Sequence, residues 1–151
     1  MITLKNTILI EVLLPEVFAF VSDPRNNPKW NYYIVQVEKL NSLEGEGAAY
    51  LQTRKTDRQK LKVMDYQENE RLVVQTLPGE RPAARRTMVF EAEGNRTRIL
   101  DQLDLLVPIP GFLSGWLGKR PGNAVRQNLE KLKELLESGS VVLQDGRSVQ
   151  R

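Results

Sequence analysis

The chain has 151 residues, 40% of them apolar and 27% charged, with a net charge of +3. That length and balance suit one globular domain with a buried core. Neither Cys nor His occurs, which excludes a disulfide framework, thiol chemistry, the commonest general base near neutral pH and the commonest zinc ligand.

Any metal site would have to be all-oxygen, and no calcium-loop spacing is present, so neither a metal nor a cofactor is expected. Basic residues are interspersed with acidic ones along the chain, which argues against a nucleic-acid partner. The opening run MITLKNTILIEVLL is interrupted by Glu11 and followed by no small-residue cleavage site. No stretch approaches the ~20 apolar residues of a membrane span. A soluble cytoplasmic protein without stable membrane insertion is expected.

Residues 3–12 read as a strand, rich in β-branched and aliphatic side chains. Pro15 suits the first turn of a helix, where a missing N–H is harmless, and Glu16 suits the positive end of that helix. Val17, Phe18, Phe20 and Val21 give the helix its apolar side. Asp23-Pro24 ends it, because the residue before a proline avoids the α region. A second short helical turn opens at Pro24 and closes at Pro28. Trp30, one of only two tryptophans, follows directly. It either fills the core or presents a flat aromatic wall to a pocket.

Strands are expected over residues 32–40, 48–54, 61–66 and 72–77, each closed by turn chemistry. Strands so spaced, with no helix between them, imply an antiparallel meander. The glycines of GEGAAY at 45–50 serve a turn and do not make a phosphate loop.

The last hairpin is the best specified. Gly94-Asn95 favours a two-residue II′ turn, and fixing the turn fixes the register. Glu93 then faces Arg96, Glu91 faces Arg98, Arg85 faces Asp104 and Val89 faces Leu100. The other face pairs Phe90 with Ile99, Ala92 with Thr97, Met88 with Asp101 and Arg86 with Leu103. One face is charged and the other mostly apolar, as a half-buried sheet requires. Asp101 is the exception on the apolar face, with Arg86 as its diagonal neighbour. The pair is either a rim ion pair or a polar pair lining a cavity.

Beyond residue 107 come PIPGF and a short apolar piece with Leu113, Trp116 and Leu117. Residues 108–116 make either a gate over a cavity or a stiff connection. A kink or fresh start is expected at Pro121. Residues 123–137 are helical, with a stripe of Val125, Leu129, Leu132, Leu135 and Leu136. Gly139 is a stop signal. Residues 138–151 are expected as a flexible tail, with Val141 to Leu143 able to dock as an edge strand.

The order of these elements, with PEVFAFVSDPRNNPKW at 15–30, GEGAAY at 45–50, ERLVVQT at 70–76, EGNRTRI at 93–99 and NLEKLKELLE at 128–137, resembles the START-like polyketide cyclase/dehydrase group of the SRPBCC superfamily. The resemblance covers about residues 2–137, a single START-like domain at 1–137. It implies an α+β helix-grip fold: a bent antiparallel sheet of six or seven strands around a long C-terminal helix, with two short helices after the first strand. It also implies an apolar cavity between sheet and helix for a lipid- or polyketide-like molecule. The residues that would line it are Trp30 and Tyr50, then Met88, Phe90, Ile99, Asp101 and Leu103 of the last hairpin. Phe112, Trp116, Val125 and Leu129 would close it from the helix side.

The leading expectation is therefore a module that binds a hydrophobic small molecule. An enzymatic alternative, a cyclase or dehydratase, would use Asp101, Arg86 and a tyrosine such as Tyr33 or Tyr50 to polarise a carbonyl and move protons. A third reading is a protein partner, docked on a basic surface of Arg81, Arg85, Arg86, Lys119 and Arg120.

Overall fold

The computed structural model describes residues 1–106 and 111–151, the side chains of residues 111–121 excepted. β1 (Ile2–Ile10) leads into α1 (Leu14–Val21), whose first turn holds Pro15 and Glu16. Val17, Phe18 and Val21 are the buried side of α1. A 3-10 helix follows at Pro24–Lys29. Asp23 caps it by accepting from the Arg25 backbone N–H at 3.0 Å, and the Asn26 amide donates back to the Phe20 carbonyl at 2.9 Å. The two prolines and these bonds turn the chain so that Trp30 ends the 3-10 helix buried.

Six strands come next: β2 (Ile34–Lys39), β3 (Ala49–Arg54), β4 (Arg58–Gln67), β5 (Arg71–Thr76), β6 (Ala84–Glu93) and β7 (Arg96–Leu105). With β1 they form one antiparallel sheet in the order β1-β7-β6-β5-β4-β3-β2. The meander thus winds back until its last strand pairs with the first. β2 and β4 each carry a register shift, at Ile34/Gln36 and at Val63/Asp65. An extra residue at such a point bends the strand and increases its twist, and here it bends the sheet.

The hairpin register agrees with the sequence reading at every pair, from Glu93 opposite Arg96 to Arg85 opposite Asp104. Gly94 has φ 63°, the left-handed conformation that the first position of a II′ turn demands. The charge on the outer face settles diagonally: Arg98 pairs with Glu93 at 2.7 Å.

α2 (Gly111–Ser138) packs against β1. Its end is tied there by Lys133 Nζ, which donates to the Leu9 carbonyl at 2.7 Å, and by Glu137, which accepts from the Glu11 N–H at 2.8 Å. The leucine stripe of α2 enters the core. Leu129, Leu132, Leu135 and Leu136 are all buried with Ile10, Phe18, Phe90 and Ile99. Each such side chain contributes roughly 1.5–3 kcal/mol by leaving water. Phe18 meets Phe90 edge-on, centroids 5.0 Å apart. α2 runs through Pro121 as one element, without the fresh start expected there; of the gate expected at 108–116, residues 108–110 lie outside the described residues and 111–116 open α2.

The end of the chain differs from expectation. Residues after Gly139 form a second sheet, β8 (Ser140–Val142) paired with β9 (Ser148–Gln150), and do not join the main sheet as an edge strand. Val141 and Leu143 are buried in the common core. Gln144 donates to Asn128 of α2, Lys55 pairs with Asp145, and Arg151 pairs with Glu16 of α1. A hydrophobic anchor with three polar ties is why this segment is not a frayed tail.

Candidate functional site

Between the curved sheet and the 3-10 helix lies a cavity of about 210 Å³. Strand alternation explains most of its walls, since residues two apart share a face. Ala84, Arg86 and Met88 of β6, Leu72, Val74 and Thr76 of β5, and Leu103 and Leu105 of β7 all line it. Val21, Pro24 and Trp30 close one side, and Ile34, Gln52 and Leu61 another.

The side chains at one end of the cavity are short or bonded back to the wall. Ala84 contributes only a methyl group. Thr76 accepts from the Ala84 N–H at 2.9 Å. Gln59, itself buried, turns its amide to the carbonyls of Arg81 and Pro82 at 2.9 and 3.2 Å. Space is left where longer apolar residues would have filled it.

Two arginines line the same cavity, built to one plan. Arg86 donates from Nε and Nη2 to the two oxygens of Asp101 at 2.7 and 2.8 Å. Arg54 donates from the same two atoms to Asp57, both at 2.6 Å. Each guanidinium also stands by an aromatic ring, Arg86 at 5.4 Å from the Trp30 centroid and Arg54 at 5.5 Å from that of Tyr33. Bidentate pairing fixes a guanidinium in place, and a ring beside it adds cation–π attraction.

Their surroundings differ. The Asp101 side chain is 0% exposed and that of Arg86 is 23% exposed, whereas Asp57 is 38% exposed. The hydrogen bond from Arg54 holds the Asp57 carboxyl below the usual carboxylate range, and the same bond pushes Arg54 up. Tyr33 bonds through its hydroxyl to Thr56 in the turn between β3 and β4. The Trp30 indole N–H is buried and meets no acceptor among the described residues.

Of the residues singled out from sequence, Trp30, Tyr33, Arg86, Met88 and Leu103 come together around the cavity. Asp101 stands behind Arg86, with Asn6 of β1 opposite it in register. Tyr50, Phe90, Ile99 and Leu129 lie instead in the packed core, and Val125 packs against that core. Burial pushes the Tyr50 phenol up. Phe112 and Trp116, with Lys119 and Arg120 of the expected basic surface, lie on the part of α2 whose side chains are not described. Arg86 leaves that surface by turning inward, and Arg85 reaches Asp104 at 3.9 Å.

Arg54, Gln59, Thr76 and Ala84 are cavity residues that the sequence reading passes over. A signal exists for the first: Arg54 and Asp57 flank a tight strand turn with opposite charges. Among the described residues no acidic cluster is arranged to hold a metal ion, and no helix is long and apolar enough to cross a membrane.

Residues 1–137 match the profile of the family described as polyketide cyclase / dehydrase and lipid transport. Among proteins with curated functions, none matches the chain. Several solved structures share the fold. The protein TTHA0849 from Thermus thermophilus superposes with a TM-score of 0.74 at 18% identity, covering 92% of this chain and 99% of that one. A START superfamily protein from Mycobacterium smegmatis gives 0.72 at 16% identity, over 90% and 99%. The di-domain ARO/CYC BexL, from the BE-7585A biosynthetic pathway, gives 0.73 at 16% identity; 91% of this chain aligns with 47% of that one.

Proposed function

The chain belongs to the polyketide cyclase/dehydrase and lipid transport family, and from that premise we propose that it binds a small hydrophobic molecule in the cavity under its 3-10 helix. The observation that carries this reading is the cavity itself: about 210 Å³, walled chiefly by Val21, Leu61, Leu72, Val74, Met88 and Leu103. Concave, mostly apolar sites with a few placed polar groups are the usual form of small-molecule pockets. That volume suits a small guest, a one- or two-ring compound or a medium acyl chain.

No carboxylate is among the described lining residues, whose polar side chains are guanidinium, amide and hydroxyl groups. Both oxygens of Asp101 are engaged by Arg86. That supports holding a guest over abstracting a proton from it. The family's description includes lipid transport, which accords with a hydrophobic guest without naming one.

Native mass spectrometry of the purified protein, with displacement of an environment-sensitive apolar dye, tests the reading. Stoichiometric uptake that is lost when Ala84→Leu fills the cavity is the expected result. A protein that takes up no apolar compound would overturn it.

A further inference from the structure

We infer that the cavity selects neutral ligands carrying a carbonyl oxygen and discriminates against carboxylates of the same skeleton, with Arg86 Nη1 as the donor to that oxygen. The inference rests on the reading of the cavity as a ligand site and adds the ligand's chemical class.

Charge sets the first constraint. Among the described lining residues the charged side chains are Arg54 and Arg86, and each is matched by one aspartate. The formal charge of each pair is zero. A cationic pocket wall would attract an anion, but this wall has its counter-ion built in. A carboxylate arriving beside Arg86 would bring a second anion next to Asp101, whose side chain is fully buried. Asp101 already offsets the Arg86 charge, so the newcomer gains far less from this guanidinium than from an unpaired one, while its own desolvation still counts against it.

A hydrogen-bond donor nevertheless remains. Arg86 commits Nε and Nη2 to Asp101, and Nη1 makes no hydrogen bond among the described residues. Guanidinium carries five donors in a rigid fork and no acceptor, so the free arm calls for an acceptor without a proton to give. Asp101 behind it and Trp30 beside it hold that fork in one orientation. A carbonyl oxygen supplies the acceptor and leaves the pair's charge balance untouched. Ketones, esters, lactones and amides on an apolar body all qualify.

Three naphthalenes of nearly equal size, substituted at one ring position with acetyl, ethyl or carboxylate, make the test by calorimetric titration at neutral pH. In the native protein the acetyl compound is expected to bind roughly tenfold tighter than the ethyl compound, the usual order for a bond to a charged donor. The carboxylate is expected to be the weakest of the three. Asp101→Asn removes the built-in anion, and the order should invert, with the carboxylate overtaking the ketone. Arg86→Met/Asp101→Leu removes the pair without leaving a buried charge, and there the acetyl and ethyl compounds should become equal. This double variant carries the test should Asp101→Asn not fold.

A carboxylate that binds tightest to the native protein would overturn the inference. So would an order unchanged in Asp101→Asn, or an acetyl preference that survives in the double variant. Equal binding of all three leaves the cavity a ligand site and removes the selectivity claimed here. Binding of none removes both.

Discussion

The two ends of the sheet's inner face are filled in opposite ways. At one end α1 and the leucine stripe of α2 press Phe18, Phe90, Ile99, Leu132 and Leu135 into a core with almost no exposed surface. At the other, Ala84, Thr76, Gln59 and the two guanidiniums stop short of one another and leave about 210 Å³ unfilled. Both ends belong to the same strands: β6 carries Phe90 into the solid part and Ala84 into the hollow one. Side-chain length and hydrogen-bond direction thus decide where this fold is solid. The hollow is a local property of a few positions, and it can be moved or removed by changing them.

The contrast can be broken most forcefully by truncation in the solid part. Leu132→Ala removes a fully buried side chain and should cost about 3–4 kcal/mol, because the packed surroundings cannot collapse into the gap. Leu61→Ala, beside a space that already exists, should cost about 1–2 kcal/mol less. Urea denaturation of the two variants compares them directly, and equal losses would mean that the hollow end is as tightly packed as the other.

Charge comes next. Asp101→Asn leaves Arg86 without its partner and should lose about 3 kcal/mol, the low end for breaking a buried pair, since Arg86 retains some solvent. The double change Arg86→Met/Asp101→Leu should recover most of that loss in the same denaturation series. A smaller effect comes from Ala84→Leu, which should leave stability within about 1 kcal/mol while abolishing ligand uptake, because the added carbons occupy existing space.

The smallest effect concerns acid. The Asp57 carboxyl lies below its ordinary range through the bond from Arg54. A folded-state value depressed in this way contributes stability above the unfolded value, and that contribution disappears as pH falls through the folded one. The window is therefore below the normal aspartate titration. Carboxyl titration by NMR should place Asp57 there, and Arg54→Gln should return it upward.

Much of this architecture is legible from the chain. The hairpin of β6 and β7 can be registered residue by residue because Gly94-Asn95 fixes the turn and the charges match only one way. That register alone puts Arg86 and Asp101 on the inner face. The boundary between solid and hollow is not legible. An apolar stripe such as Leu129 and Leu132 reads the same whether it meets side chains or a void, and the difference lies in the opposite layer. Arg54 escapes notice because a charged residue near a strand end is normally solvated. The hairpin of β8 and β9 escapes by its brevity: its strands hold three residues each, too few to show an alternation, although Asp145-Gly146 is a turn signal in plain sight.

That closing hairpin has a practical consequence for anyone preparing the protein. The family match stops at residue 137, which invites a trimmed expression clone ending there. Such a clone would strip Val141 and Leu143 from the interior and bare the greasy patch they cover. The shortened chain would tend to clump at high concentration, so the last fourteen or so residues belong in any version meant for crystals or assays.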